Sequence, residues 1–385
     1  MPEAVIVSAV RSPIGRAHKG SLTSIRPDDL TAQIVSAALD QVPELDPVDV
    51  DDLLLGCGLP GGEQGFNMAR VVAVALGYDH LPGCTVTRYC ASSLQTTRMA
   101  LHAIKAGEGD VFVSAGVDTF SRFVHGSSDT WPDTRNPRFA GNSDLPDVYT
   151  PMGLAAENLA RLKNVSRQEM DEFAVRSQNL AEKAIANGFW AEDITPVTMP
   201  DGTVVAADDC PRAGVTLAAL SGLRPAFRPD GLVTAGNCSP INDGAAALVV
   251  MSDVKARNLG LTPLARIVST GVSALSPEIM GHGAVEASRR ALARAGLSAG
   301  DIDLVEINEA FAAQVVPTYR DLGIDLGRVN VNGGAIAVGH PLGMTGARIT
   351  STLLTSLRYH DRQFGLEAVA VAGGQGMAMV LERLS

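Results

Sequence analysis

Among the 385 residues, one cysteine and one histidine stand in settings suited to covalent chemistry. Cys90, in VTRYCASSLQ, follows a β-branched run and immediately precedes a helical pattern. A thiol at a helix N-terminus meets the positive end of the macrodipole and free N–H groups, which favour the thiolate. The competing reading is a small buried core cysteine, and Cys57, Cys84, Cys210 and Cys238 are all read that way. His340 lies in GGAIAVGHPLGMTG, where Gly333, Gly334, Gly339, Gly343 and Gly346 let backbone approach a bound group closely. Pro341 restricts the histidine's backbone and so aims its ring. An imidazole takes a thiol proton near neutral pH, so Cys90 and His340 form a candidate nucleophile and base, against the plainer reading of a structural histidine. The same glycines lack the Lys-Ser/Thr ending of a P-loop, and no GxGxxG follows a strand, so phosphate binding is not supported. In EINEAFAAQ, Glu306 to Gln314, Asn308 either caps a helix or helps hold an oxyanion, directly or through water. The Gly/Asn/Ser loop VTAGNCSPINDGAAALVV, Val233 to Val250, enters a buried strand and suits backbone contacts to a ligand arm.

These residues need a frame of strands and helices to bring them together. Short β-branched runs alternate with amphipathic segments, the pattern of parallel α/β sheets. Strands are expected at Ala4–Val10, Asp52–Cys57, Asp110–Ala115, Ala246–Met251, Ala265–Gly271, Leu304–Ile307 and Glu367–Ala372. Helices are expected at Asp28–Ala38, Asn67–Leu76, Ser92–Ala106, Gly283–Ala295, Ala310–Leu322 and Thr345–Arg358. Several helices are poor in charge and should lie between sheets. The chain also reads as two similar halves. VIVSAVRSP matches RIVSTGVSA, the Cys90 segment matches the His340 segment, and DVFVSAGVDTF matches AVAVAGGQGMAMVLE. We expect one half at 1–116 plus 243–262 and the other at 263–385. Residues 117–242 then form an excursion of Pro, Asp, Arg and Trp texture, followed by a helix opening on a Ser166–Glu169 capping box.

Composition removes whole classes of function. The net charge of −11 argues against a nucleic-acid coat, which needs a basic face to displace counterions. Apolar runs such as Gly244–Met251 stop far short of the ~18–20 residues of a membrane span. The start MPEAVIVSAV has no basic n-region of a signal peptide. Five cysteines without zinc-like spacing fit a reducing compartment. A soluble cytoplasmic protein is expected.

Taken together, these segments resemble the thiolase family, the acetyl-CoA acetyltransferases and 3-ketoacyl-CoA thiolases. The likeness runs nearly end to end: VRSPIG, the Cys90 segment, MGLAAENLA at Met152–Ala160, SGLRPAF at Ser221–Phe227, the 233–250 loop, NEAFA at 308–312, NGGAIAVGHPLGMTGAR at 332–348 and GGQGMAM at 373–379. The resemblance implies two α/β half-domains in five-layered α/β/α/β/α packing, with an inserted loop domain that grips coenzyme A, assembled as a homodimer or homotetramer. Cys90 would be the acylated nucleophile, His340 its base, and Asn308 a holder of a thioester oxygen through water. The backbone N–H groups of Cys90 and Ala372 would form a second oxyanion site. Coenzyme A, a substrate rather than a resident cofactor, would run along Met152, Arg212, Phe227, Ala235, Ser239, Ala310 and Phe311, with Arg212 near its phosphates. No metal is implied.

The sequence also departs from the family pattern. A cysteine that shuttles the α-proton of the carbon–carbon step is replaced by Ala370, which accepts no proton. Losing a positioned acid/base commonly costs ~10²–10⁴-fold in rate. Ser93 stands where glycine is usual after the nucleophile, Pro151 precedes Met152, and GVDTFSR replaces the usual Gly-x-Glu-x-Met-Ser. Cys238, beside the expected pantetheine path, is a substitute acid/base to weigh against a plain small apolar residue. The leading expectation is a thiolase-type acyltransferase working through acyl-Cys90. Its rivals are an acyl-CoA hydrolase or transferase without an efficient Claisen step, and a weakly catalytic acyl-CoA-binding subunit.

Overall fold

The computed structural model describes residues 2–123, 135–139 and 144–385. Nine strands carry the fold: β1 (Ala4–Arg11), β2 (Asp52–Cys57), β3 (Gly83–Val86), β4 (Val111–Thr119), β5 (Asn242–Ser252), β6 (Ala265–Ala274), β7 (Leu304–Ile307), β8 (Phe364–Val371) and β9 (Gln375–Arg383). They run in the order β7-β8-β9-β6-β1-β5-β4-β2-β3, and the two-residue strand Gly15–Arg16 pairs with β5. Each half repeats one plan. In the first, β1, β5 and β4 pair antiparallel, and β4, β2 and β3 pair parallel. In the second, β6, β9 and β8 pair antiparallel, β8 and β7 pair parallel, and a lone parallel bridge of Val305 with Val329 stands where β3 stands in the first. The two half-sheets are joined through β1 and β6, by Val5 with Arg266 and Ile6 with Ala265.

The helices that matter here are α1 (Pro27–Asp40), α2 (Met68–Ala75), α3 (Ser92–Ala106), α4 (Met152–Leu162), α5 (Arg167–Ala186), α6 (Gly283–Ala295), α7 (Ala312–Leu322) and α8 (Thr345–Tyr359). Alternation along the strands sends successive side chains to opposite faces, which yields three cores. Val5, Leu53, Leu55, Val111 and Val113 pack with α1 and α2. Ile6, Leu54, Phe112, Val369 and Val371 face the middle, where α3 and α8 lie. Leu366, Ala368 and Ala370 pack on the far side with α6 and α7. This is the expected order of five layers, with the difference that the two sheets are continuous at one edge. The middle helices nearly touch: a Cβ on Gly346 of α8 would stand 2.2 Å from the Leu94 nitrogen of α3.

Strands β2 and β7 and helices α3 and α6 begin and end where periodicity places them. Other ends move for local reasons. Asn67 takes φ of 51° and so stands outside α2. Phe311 stays extended to bridge Cys238, which delays α7 to Ala312. The final segment, expected as one strand to Ala372, is a hairpin of β8 and β9 reversed over Gly373 and Gly374, both at positive φ. The capping box of Ser166 and Glu169 starts α5. The excursion at 117–242 includes 124–134 and 140–143, which lie outside the described residues. No helix among the described residues is long and apolar enough to cross a membrane.

Candidate active site

Cys90 occupies a short 3-10 turn, Tyr89–Ala91, that leads from β3 into α3. Tyr89 takes φ of 44°, a left-handed conformation that a bulky residue rarely enters, so the chain turns sharply before the sulfur. The Cys90 side chain is fully buried, under the N–H groups of Cys90 itself and of Ala372. Burial pushes the thiol up to about 12, the charge of Asp118 pushes the same way, and the two N–H groups pull it back only in part. The resting sulfur is therefore a protonated thiol. Burial thus opposes the thiolate that a helix N-terminus favours.

His340 is fixed at three atoms. Its backbone N–H donates to Asn242 Oδ1 at 2.9 Å. Its Nδ1 lies 2.6 Å from Thr345 Oγ1, which lies 2.7 Å from the Pro341 carbonyl oxygen. A carbonyl only accepts, so the Thr345 hydroxyl donates to Pro341 and accepts from Nδ1–H. Nε2 then carries the lone pair and accepts from Asn308 Nδ2–H at 3.3 Å. Burial, helped by the Arg348 charge, lowers the imidazole to about 3, so the ring is neutral at rest and open to a proton at Nε2. Asn308 caps no helix, since α7 begins at Ala312 with Phe311 as its N-cap. Its Oδ1 is buried without a partner among the described residues.

Two buried side chains that sequence reasoning did not assign tie the segment after His340 to the first half of the chain. Asp118, at the end of β4, accepts N–H bonds from Gly343 on one side and from Gly58 (2.9 Å) on the other. Burial raises its carboxyl to about 6 against those bonds, and its charge is felt at the Cys90 sulfur. Ser93 Oγ, on α3, accepts from the Ala347 N–H of α8 at 2.8 Å. Both residues had been noted only as departures from a family pattern. Asn242 and Thr345 left no separate signal, because their roles lie in contacts with a residue distant in the sequence or buried in a turn.

The expected ligand residues fall around two small cavities. A slot of about 10 Å³ is lined by Met152, Ala156, Met280, Gly281, Phe311, Gln314 and Ala370. Phe227, 41% exposed, meets Phe311 edge-on at 6.0 Å and covers Gly153, the second residue of α4, where a Cβ would stand 2.2 Å from the ring. Ser239 N–H donates to the Ala310 carbonyl at 3.0 Å. A second cavity of about 40 Å³ holds Arg212 and Ala235 with Arg16, Gln178, Cys210 and Cys238. The backbone bridge of Cys238 with Phe311 runs between the two. Cys238 thus lines the arginine cavity and not the slot of Ala370, and burial raises its thiol to about 11, so neither geometry nor acidity suits it to replace a missing acid/base.

The comparisons with known proteins fit this geometry along the whole chain. The family model for the thiolase N-terminal domain matches residues 4–254, and that for the thiolase C-terminal domain matches 261–383. The chain belongs to the thiolase family. It is 43% identical over 395 residues to a 3-ketoacyl-CoA thiolase of Bacillus subtilis, covering 99% of this chain and 100% of the relative. It is 42% identical over 399 residues to an acetyl-CoA acetyltransferase of Cupriavidus necator, covering 100% of both. The crystal structure of the Bacillus anthracis acetyl-CoA acetyltransferase superposes with a TM-score of 0.90 at 38% identity, covering 100% of this chain and 99% of that one. As a thiolase, the chain is an acyltransferase.

Proposed function

We propose that this thiolase transfers acyl groups between coenzyme A thioesters and a thiol or carbon acceptor through an acyl-Cys90 intermediate. The observation that carries the reading is the tautomer of His340: with Nδ1–H held by Thr345, only Nε2 is free to act as base. When the substrate binds, the Cys90 proton moves to His340 Nε2 as the sulfur attacks the thioester carbon of an acyl-CoA or the 3-keto carbon of a 3-ketoacyl-CoA. The developing oxyanion is held by the N–H groups of Cys90 and Ala372. Collapse expels the coenzyme A sulfur, or the carbanion in thiolysis, and the departing group takes the proton from His340. In the second half the acyl group passes to a new acceptor. A coenzyme A thiol gives its proton to His340 as its sulfur attacks and Cys90 leaves, whereas an acyl-CoA that attacks through its α-carbon has its thioester oxygen held by His340 and, through water, by Asn308.

Coenzyme A enters as substrate, with its pantetheine arm along Met152, Phe227, Ser239, Ala310 and Phe311 and its phosphates toward Arg212 and the Ala235 loop. The proposed steps draw on side chains, backbone N–H groups and the substrate's own thiol. We assign residues 1–116 with 243–262 and 263–385 to the two halves, 117–242 to the loop domain, the cytoplasm as compartment, and a homodimer or homotetramer as assembly, which light scattering of the purified protein tests. The reaction itself is tested by rapid quench with a panel of acyl-CoAs. A burst of free coenzyme A close to one per active chain is expected, and a linear release with no burst would overturn the covalent mechanism.

A further inference from the structure

Helices α3 and α8 each follow one member of the reacting pair: α3 starts two residues after Cys90, and α8 starts five residues after His340. The N-terminus of α8 has no side-chain cap of its own, yet the first amides of a helix need acceptors. Ala347, the third residue of α8, donates its N–H to Ser93 Oγ at 2.8 Å, deep in the middle layer. Among the described residues this is the one side-chain hydrogen bond between α3 and α8. The same helix supplies Thr345, whose Oγ1 holds Nδ1 of His340. Ser93 is pressed in place from the strand side, where a Cβ on Gly116 would stand 2.5 Å from its own Cβ, and its side chain is wholly buried.

We propose that Ser93 is a positioning residue that sets the spacing of nucleophile and base, by capping α8 from the opposite half of the molecule. The connection runs from Cys90 through the first turn of α3 to Ser93 Oγ, across to the Ala347 N–H, and back through Thr345 to the His340 ring. A helix of the second half is thereby capped at its first turn by a side chain of the first half. This inference rests on the reading of His340 as the base of Cys90.

The test is the rapid-quench rate of Cys90 acylation by acetyl-CoA in four proteins: native, Ser93→Ala, His340→Asn and the double variant. Ser93→Ala should slow acylation about tenfold, the kinetic equivalent of one ordinary hydrogen bond, with KM for acetyl-CoA unchanged. In the His340→Asn background the same substitution should cost nothing further, because there is no base left to position. Ser288→Ala, which removes a buried hydroxyl from α6 bonded only within its own helix, should leave the rate at the native value. Ser93→Gly serves as a second variant if alanine impairs folding. A native rate in Ser93→Ala, a rise in KM in place of the slower acylation, an additive loss in the double variant, or an equal loss in Ser288→Ala would each overturn the role of Ser93. A native rate in His340→Asn would show instead that the base itself was misassigned, and the inference would fall with it.

Discussion

Cys90, His340 and Asn308, proposed as the reacting wall, are groups that give, take or hold a proton, whereas the slot lined by Met152, Phe311 and Ala370 contains no titratable side chain. Ala370 lies near the end of β8, and Ala372 follows it in the turn to β9. Yet alternation turns Ala370 toward the outer core while Val369 and Val371 face Cys90. The contrast teaches that acyl transfer to sulfur and proton transfer at carbon are separable demands on this fold. The first needs a thiol, a tautomer-fixed imidazole and two N–H groups, all present. The second needs an acid/base beside the α-carbon, and Gln314 is the only polar side chain in the slot.

The largest effect should come from removing the proton acceptor of the first wall. His340→Asn should slow Cys90 acylation by ~10²–10⁴-fold, the ordinary worth of a general base, measured by rapid quench. Furnishing the second wall should work in the opposite direction. Ala370→Cys should raise thiolysis of a 3-ketoacyl-CoA by ~10²-fold or more and leave the acylation burst with acetyl-CoA unchanged. Native thiolysis already at the level of the variant would mean that His340 serves both walls.

A smaller effect concerns how the first wall rests before substrate arrives. With the thiol near 12 and the imidazole near 3, alkylation of Cys90 by iodoacetamide should climb steadily from pH 6 to pH 9, and a plateau beginning near ~7 would indicate a thiolate–imidazolium pair instead. The same neutral ring ties stability to acid. The His340 pKa is depressed in the fold, so its contribution is complete above the unfolded value of ~6.5 and is lost as pH falls toward about 3. His340→Asn should flatten that part of the stability curve in chemical denaturation. Asp118 runs the other way. Its pKa is raised, so the stability it contributes is complete below ~3.9 and is lost as pH rises through about 6.

Cys90, His340 and Asn308 were legible because each sits in a short segment whose composition is explained poorly by packing alone. The strands and the middle helices were legible from period and from their lack of charge. What the sequence withheld is pairwise. Asp118 and Ser93 act by reaching turns more than 200 residues away in the chain, and Asn242 joins β5 to the His340 backbone. The depth of Cys90 was hidden for a related reason, since a helix terminus is visible in a sequence but complete burial beneath a second half is not. The closing hairpin was hidden because its turn of small residues reads equally well as the end of a strand.

The most direct test is mass spectrometry of the native protein quenched in acid after seconds with acetyl-CoA or a medium-chain acyl-CoA. The account predicts a mass gain of one acyl group on the peptide that carries Cys90, absent in Cys90→Ala. An unmodified Cys90 peptide during turnover, or an acyl group found on Cys238 instead, would contradict it.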